Sequence, residues 1–194
     1  VRPGIIKCGT GHGSMSEYEG KVFAAVARAS VVTGAPVTTH TDDGTVGDLQ
    51  QQVLTRGNVP SNRIIIGHSC GTTDTDYHMT IASGGSYLGF DRFGIAALMS
   101  DEDRADSLMR LITQGAGDRI VVSHDSVWCW KGEPFPTYAM DRLSEVMEPT
   151  RFDREIIPML KDRGATEEQI EMLVVDNPRR FFFFFSLKSL NPTS

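Results

Sequence analysis

Residues 63–68 read Arg63-Ile64-Ile65-Ile66-Gly67-His68. Three consecutive β-branched residues with no polar partner among them suit a strand covered on both faces, as in a parallel sheet flanked by helices. The run stops at a glycine, and the next residue carries a titratable imidazole. The same form recurs along the chain as Gly4-Ile5-Ile6-Lys7-Cys8, Ala35-Pro36-Val37-Thr38-Thr39-His40, Ser86-Tyr87-Leu88-Gly89-Phe90-Asp91 and Arg119-Ile120-Val121-Val122-Ser123-His124-Asp125. The starts lie about 20 to 35 residues apart, the length of a βα unit. The chain therefore reads as five βα units.

The intervening segments carry helical spacing. Val22, Ala25, Val26, Ala29 and Val32 recur at three- and four-residue steps and mark one face of a helix from about Ser16 to Thr33, stopped by Gly34. Gly47 to Arg56 and Asp103 to Gln114 read as further helices, each followed by a glycine, Gly57 and Gly115. Arg154 to Asp162 is another. Thr166-Glu167-Glu168-Gln169 is a capping box opening a last helix to about Val175, which Pro178 is expected to end.

The chain has 194 residues, 19 Lys+Arg against 25 Asp+Glu, a net charge of −6, 40% hydrophobic and 23% charged residues. That is the composition of one folded globular domain. An acidic balance with no Lys/Arg run excludes a nucleic-acid partner, because phosphate binding needs clustered positive charge. Cys8, Cys70 and Cys129 are too far apart for a disulfide framework or a CxxC knuckle, and a reducing cytoplasm is expected. The longest strongly apolar run, Phe181 to Phe185, is far below the roughly 20 residues a bilayer span needs, so no membrane contact is expected. No GxGxxG or GxxxxGK[ST] follows a strand, and Gly9-Thr10-Gly11-His12-Gly13 lacks the fingerprint spacing. On length alone a complete five-stranded doubly wound sheet fits better than part of a (β/α)₈ barrel, which takes about 250 residues.

The polar residues point the other way. Lys7, His40, His68, Asp91 and Asp125 all fall at C-terminal strand ends, the edge at which α/β barrels converge side chains on one active site. Two imidazoles and a carboxylate are ligand types for Zn²⁺ and its first-row neighbours. An ammonium cannot coordinate a cation, but Lys7 converted by CO₂ to a carbamate becomes a carboxylate on a long arm. His12, His78 and His124 do not share this placement and read as structural.

At these residues the sequence resembles the phosphotriesterase family of the amidohydrolase superfamily. The segments that carry the likeness are Gly4-Ile5-Ile6-Lys7, Pro36-Val37-Thr38-Thr39-His40-Thr41, Ile66-Gly67-His68-Ser69, Gly89-Phe90-Asp91-Arg92-Phe93-Gly94, Val122-Ser123-His124-Asp125 and Asp176-Asn177-Pro178-Arg179-Arg180-Phe181-Phe182. They run in order over residues 1–182, leaving 183–194 as a divergent tail. The resemblance implies a metal-dependent hydrolase on a (β/α)₈ TIM barrel, of which these strands are numbers four to eight. It implies two divalent cations, zinc first, with cobalt, manganese or iron as alternatives. Lys7 matches the carboxylated lysine bridging both ions, His40 and His68 match ligands of the more exposed ion, and Asp125 matches the aspartate on the more buried one. A bridging hydroxide then attacks a small-molecule ester, lactone or organophosphate while Asp125 relays the proton. Arg92, in a form similar to that of phosphotriesterase-like lactonases, and Trp128 are the expected substrate-binding residues, and a homodimer is compatible with the family.

One departure is large. The family's first strand carries a His-x-His pair, and no such pair occurs in this sequence. By this reading the first three units and two ligands are absent. A second reading therefore stands beside the hydrolase: a truncated, non-catalytic half-barrel.

Overall fold

The computed structural model describes residues 3–126, 132 and 148–189, the last of these with side chains as far as position 183. Five strands, β1 (Ile6–Lys7), β2 (Val37–Thr38), β3 (Ile64–Ile66), β4 (Tyr87–Phe90) and β5 (Ile120–Val122), form one sheet. Every neighbouring pair is parallel, with Lys7 opposite Thr38, Thr38 opposite Ile65 and Ile65 opposite Tyr87. The spatial order is the sequence order, β1-β2-β3-β4-β5. A doubly wound sheet reverses its order at a switch point, whereas a barrel arc never does. The open-sheet expectation drawn from length is thus corrected, because length does not encode the direction in which successive units are added.

Helices α1 (Glu17–Thr33), α2 (Gly47–Arg56), α3 (Thr75–Ser83) and α4 (Asp101–Thr113) cover the outer face. Ser16 caps α1 in a full capping box with Glu19, and Gly34 closes it in the left-handed region at φ 75°. The outward residues Val37, Ile64, Ile66, Leu88, Phe90 and Ile120 are fully buried against Phe23, Leu54, Ile81, Leu108 and Leu111. Each such side chain contributes about 1.5–3 kcal/mol through burial. The nearly continuous apolar strand runs have this cause: one face meets the helices and the other meets the lumen.

Helix α3 has no counterpart in the sequence reading. Its first turn is set by the Asp74 side chain, which accepts from the Tyr77 N–H, and its buried stripe contains a histidine, His78, where an aliphatic residue would have given the helical period.

The C-terminal segment differs from expectation more. A five-residue π-helical turn, Phe152–Ile156, leads into α5 (Ile157–Asp162). After α6 (Glu167–Glu171), capped by the expected box at Thr166, a second π-helical turn, Met172–Asp176, leads directly into α7 (Asn177–Ser189). Pro178 therefore does not end the helix. It occupies the second position of α7, just after the widened turn, where a missing N–H is tolerated. Fully buried Asn177 donates through Nδ2 to the carbonyls of Gly117 (2.9 Å) and Ile120 (2.6 Å), fixing α7 to the start of β5. The ring of Phe181 then stands edge-on to Tyr87, and Arg63 donates to the Phe181 carbonyl. Among the described residues no helix is long and apolar enough to cross a membrane.

Candidate active site at the strand ends

Lys7 closes β1, and its ammonium donates to the carbonyl of Thr39, just past the end of the adjoining strand. Desolvation of that ammonium lowers the Lys7 pKa, opposed by the carboxylates of Asp91 and Asp125. Lowering matters chemically, since only the neutral amine can react with CO₂.

His40 lies two residues beyond β2 and is gripped through its backbone. Its N–H donates to the Cys8 carbonyl (2.9 Å), and its own carbonyl accepts from the Thr10 N–H (3.1 Å) and the fully buried Gln50 side chain (2.8 Å). The imidazole Nε2 stands 2.7 Å from a carboxylate oxygen of Asp42.

His68 follows β3 through Gly67, whose backbone runs so close to β2 that a Cβ there would collide with the Thr39 carbonyl oxygen. Only glycine permits that approach. His68 itself sits in the left-handed region at φ 58°, which is uncommon for a residue with a Cβ. Its backbone N–H (3.0 Å) and ring Nδ1 (2.9 Å) both turn to the Asp91 carboxylate. The rings of His40 and His68 meet edge to face, with centroids 4.6 Å apart.

Asp125 stands three residues past β5, also left-handed at φ 55°. Arg92 Nε donates to its Oδ2 at 3.1 Å, and His68 Nε2 faces the same oxygen from 4.0 Å, too far for a hydrogen bond. Lys7, His68, Asp91 and Asp125 line one cavity of about 340 Å³ that also touches Ile65 and Phe181.

The structure thus brings Lys7, His68 and Asp125 to one cavity, packs His40 against His68 and sets Arg92 on Asp125. Trp128 lies outside the described residues. His12 is exposed beside Asp43, His78 is buried and donates from Nε2 to the Ser69 carbonyl (2.8 Å), and His124 accepts from the Phe152 N–H. Burial lowers the pKa of His78. Among the described residues no three His, Cys, Asp or Glu side chains stand close enough together to hold an ion. The donor set nonetheless fits a cation in kind. Among the described residues His68 Nε2 makes no hydrogen bond, a carboxylate faces it, and a desolvated lysine shares the cavity.

Two supporting residues have no role in the sequence reading: Asp91, which stands at a strand end, and Asp42, two residues after His40. The His-x-Asp spacing of His40 and Asp42 was the available signal.

A model of the phosphotriesterase family matches residues 1–182. A phosphotriesterase homology protein of Mycobacterium tuberculosis is 35% identical over 183 residues, covering 94% of this chain and 56% of the relative. An aryldialkylphosphatase of Saccharolobus solfataricus is 33% identical over 186 residues, covering 93% and 58%. Among solved structures, a mutant of the Deinococcus radiodurans PTE-like lactonase superposes with a TM-score of 0.84 at 37% identity, covering 93% of this chain and 57% of that one. The chain thus spans a little over half the length of these relatives.

Proposed function

The chain belongs to the phosphotriesterase family, and from that premise we propose that it supplies part of the active site of a metal-dependent hydrolase acting on small organophosphates, esters or lactones. The observation that supports this most is the shared cavity. Residues from the ends of three separate strands, Lys7, His68 and Asp125, face one space of about 340 Å³, and His40 from a fourth abuts His68.

Lys7 (as its carbamate), His40, His68 and Asp125 would hold two divalent cations, zinc first. When bound, such ions polarise the scissile bond and acidify water. The chain's own residues do the rest. Asp125 takes the proton of the attacking water on its carboxylate and is held for that role by Arg92 at 3.1 Å. Arg92, whose side chain is 14% exposed, turns its remaining N–H groups to a substrate oxygen. Ile65 and Val122 give the cavity an apolar wall against which an acyl or alkyl chain sheds water.

Relatives carry the names aryldialkylphosphatase and PTE-like lactonase, which supports phosphotriesters and lactones as the substrate classes to assay. The missing His-x-His pair favours a second reading, a half-barrel without turnover. One experiment decides. Hydrolysis of a dialkyl aryl phosphate and of a γ-lactone is measured with zinc and bicarbonate, after chelation, and in Lys7→Ala and His40→Ala. The hydrolase predicts turnover abolished by all three treatments. A rate indifferent to chelation contradicts it, and absence of turnover under every condition favours the half-barrel reading for this chain.

A further inference from the structure

The two neighbouring histidines are held by carboxylates through opposite ring nitrogens. Asp42 engages Nε2 of His40 at 2.7 Å, while Asp91 engages Nδ1 of His68 at 2.9 Å. An ionised carboxylate only accepts, so the engaged nitrogen carries the proton and the other keeps its lone pair. In the neutral rings His40 is therefore the Nε2–H tautomer and His68 the Nδ1–H tautomer, leaving Nδ1 of His40 and Nε2 of His68 without a hydrogen-bond partner among the described residues. Both free lone pairs lie on rings whose centroids are 4.6 Å apart.

An ion pair with a half-exposed aspartate is ordinarily worth little, because ordering two side chains offsets the attraction. Asp42 is different in being ordered by its own loop. Its carbonyl accepts from both the N–H (2.9 Å) and the hydroxyl (2.7 Å) of Thr45, and that hydroxyl oxygen in turn accepts from the Gly13 N–H at 3.0 Å. The loop passes through left-handed conformations at Asp43 (φ 50°), Gly44 (φ 66°) and Val46 (φ 67°). The last is an outlier for a β-branched residue, a cost that surrounding contacts must offset. Those contacts are with the loop after β3: a Cβ on Gly71 would stand 2.7 Å from the Gly44 nitrogen, and a Cβ on Gly44 would stand 2.7 Å from a Thr72 methyl. The Asp42 loop is thus locked to the loop that follows His68. His40 is fixed at its backbone independently, by Cys8, Thr10 and Gln50.

We propose that Asp42 is a positioning residue that fixes the Nε2–H tautomer of His40, so that Nδ1 of His40 and Nε2 of His68 together face a divalent cation. The proposal rests on the metal-site reading above. Carboxylate partners of this kind orient a ligating imidazole and raise its basicity, and losing one typically costs roughly 10–100-fold in metal affinity.

The test has two readouts on the full 194-residue chain. Long-range ¹H–¹⁵N correlation spectra of the metal-free chain, taken at a pH where the imidazoles are neutral, report which nitrogen of each ring is protonated. Calorimetric titration with zinc reports affinity. Opposed tautomers are expected, with Asp42→Ala releasing His40 into a mixture while His68 is unchanged. Zinc affinity should fall roughly 10–100-fold in the same variant, and Asp42→Asn, which retains an oxygen acceptor for Nε2–H, should recover most of it. A His40 protonated on Nδ1 in the unsubstituted chain, or a tautomer and affinity indifferent to Asp42→Ala, overturns the proposal. Opposed tautomers in a chain that binds no zinc would sustain the Asp42 assignment and overturn the metal-site reading beneath it.

Discussion

The inner strands β2 and β3 and the outer strands β1 and β5 bring polar residues to the same edge of the sheet by different means. His40 and His68, at the inner ends, are each held at backbone and ring: His40 by Cys8, Thr10, Gln50 and Asp42, His68 by Asp91 at two points. Lys7 and Asp125, at the outer ends, are each held by one side-chain bond among the described residues, to the Thr39 carbonyl and to Arg92. Among the described residues each outer strand also has one hydrogen-bonded neighbour where each inner strand has two. The inner pair is preorganised by this chain alone. The outer pair is held at fewer points among the described residues, which suits the carboxylation proposed for Lys7 and the proton transfer proposed for Asp125.

Removing His68, the proposed inner ligand, should have the largest effect. His68→Ala is expected to weaken zinc binding beyond the roughly 10–100-fold that loss of a supporting partner brings, as read by calorimetry. An effect no larger than that of Asp42→Ala would erase the distinction between ligand and support. Next, Gly67→Ala forces β2 and β3 apart at the Thr39 carbonyl. Overpacking of this kind costs about 1–3 kcal/mol, to be measured as a lowered urea midpoint. An unchanged midpoint would mean that the inner ends are less rigid than described.

At the outer end, Arg92→Ala removes a bond to an aspartate whose side chain is 40% exposed. Its stability effect should stay below about 1 kcal/mol, while turnover of ester substrates falls further than stability does. The smallest effect concerns pH. His78 props the Ser69 carbonyl next to His68, and burial depresses its pKa below the ordinary 6.5. Above that value the ring is neutral in folded and unfolded chain alike. Below it the unfolded chain takes up the proton first, so stability declines as pH falls from 6.5 toward the depressed folded value. His78→Gln should flatten that decline in thermal melts, and a melting temperature with the same pH slope in both proteins would contradict it.

Much of this was legible in the sequence. Apolar runs ending in Lys7, His40, His68 and Asp125 located the strand ends, because β-branched periodicity and a polar terminus are both local signals. The caps at Ser16 and Thr166 were equally local. Sheet order was not, since the same five units can be added in one direction or two. The Asp42–His40 pair depends on a loop with three left-handed residues, and Val46 gives no hint of such a conformation. Pro178 misled because the π-helical turn before it, Met172–Asp176, has no sequence signature.

Diffraction at the zinc absorption edge, from crystals of the chain grown with zinc and bicarbonate, tests the central claim most directly. Anomalous peaks are predicted in the strand-end cavity, about 2.0–2.2 Å from Nδ1 of His40, Nε2 of His68, the Asp125 carboxylate and an extended Lys7 side chain. Zinc bound only elsewhere on the surface, with the cavity free of anomalous signal and Lys7 unmodified, would contradict it.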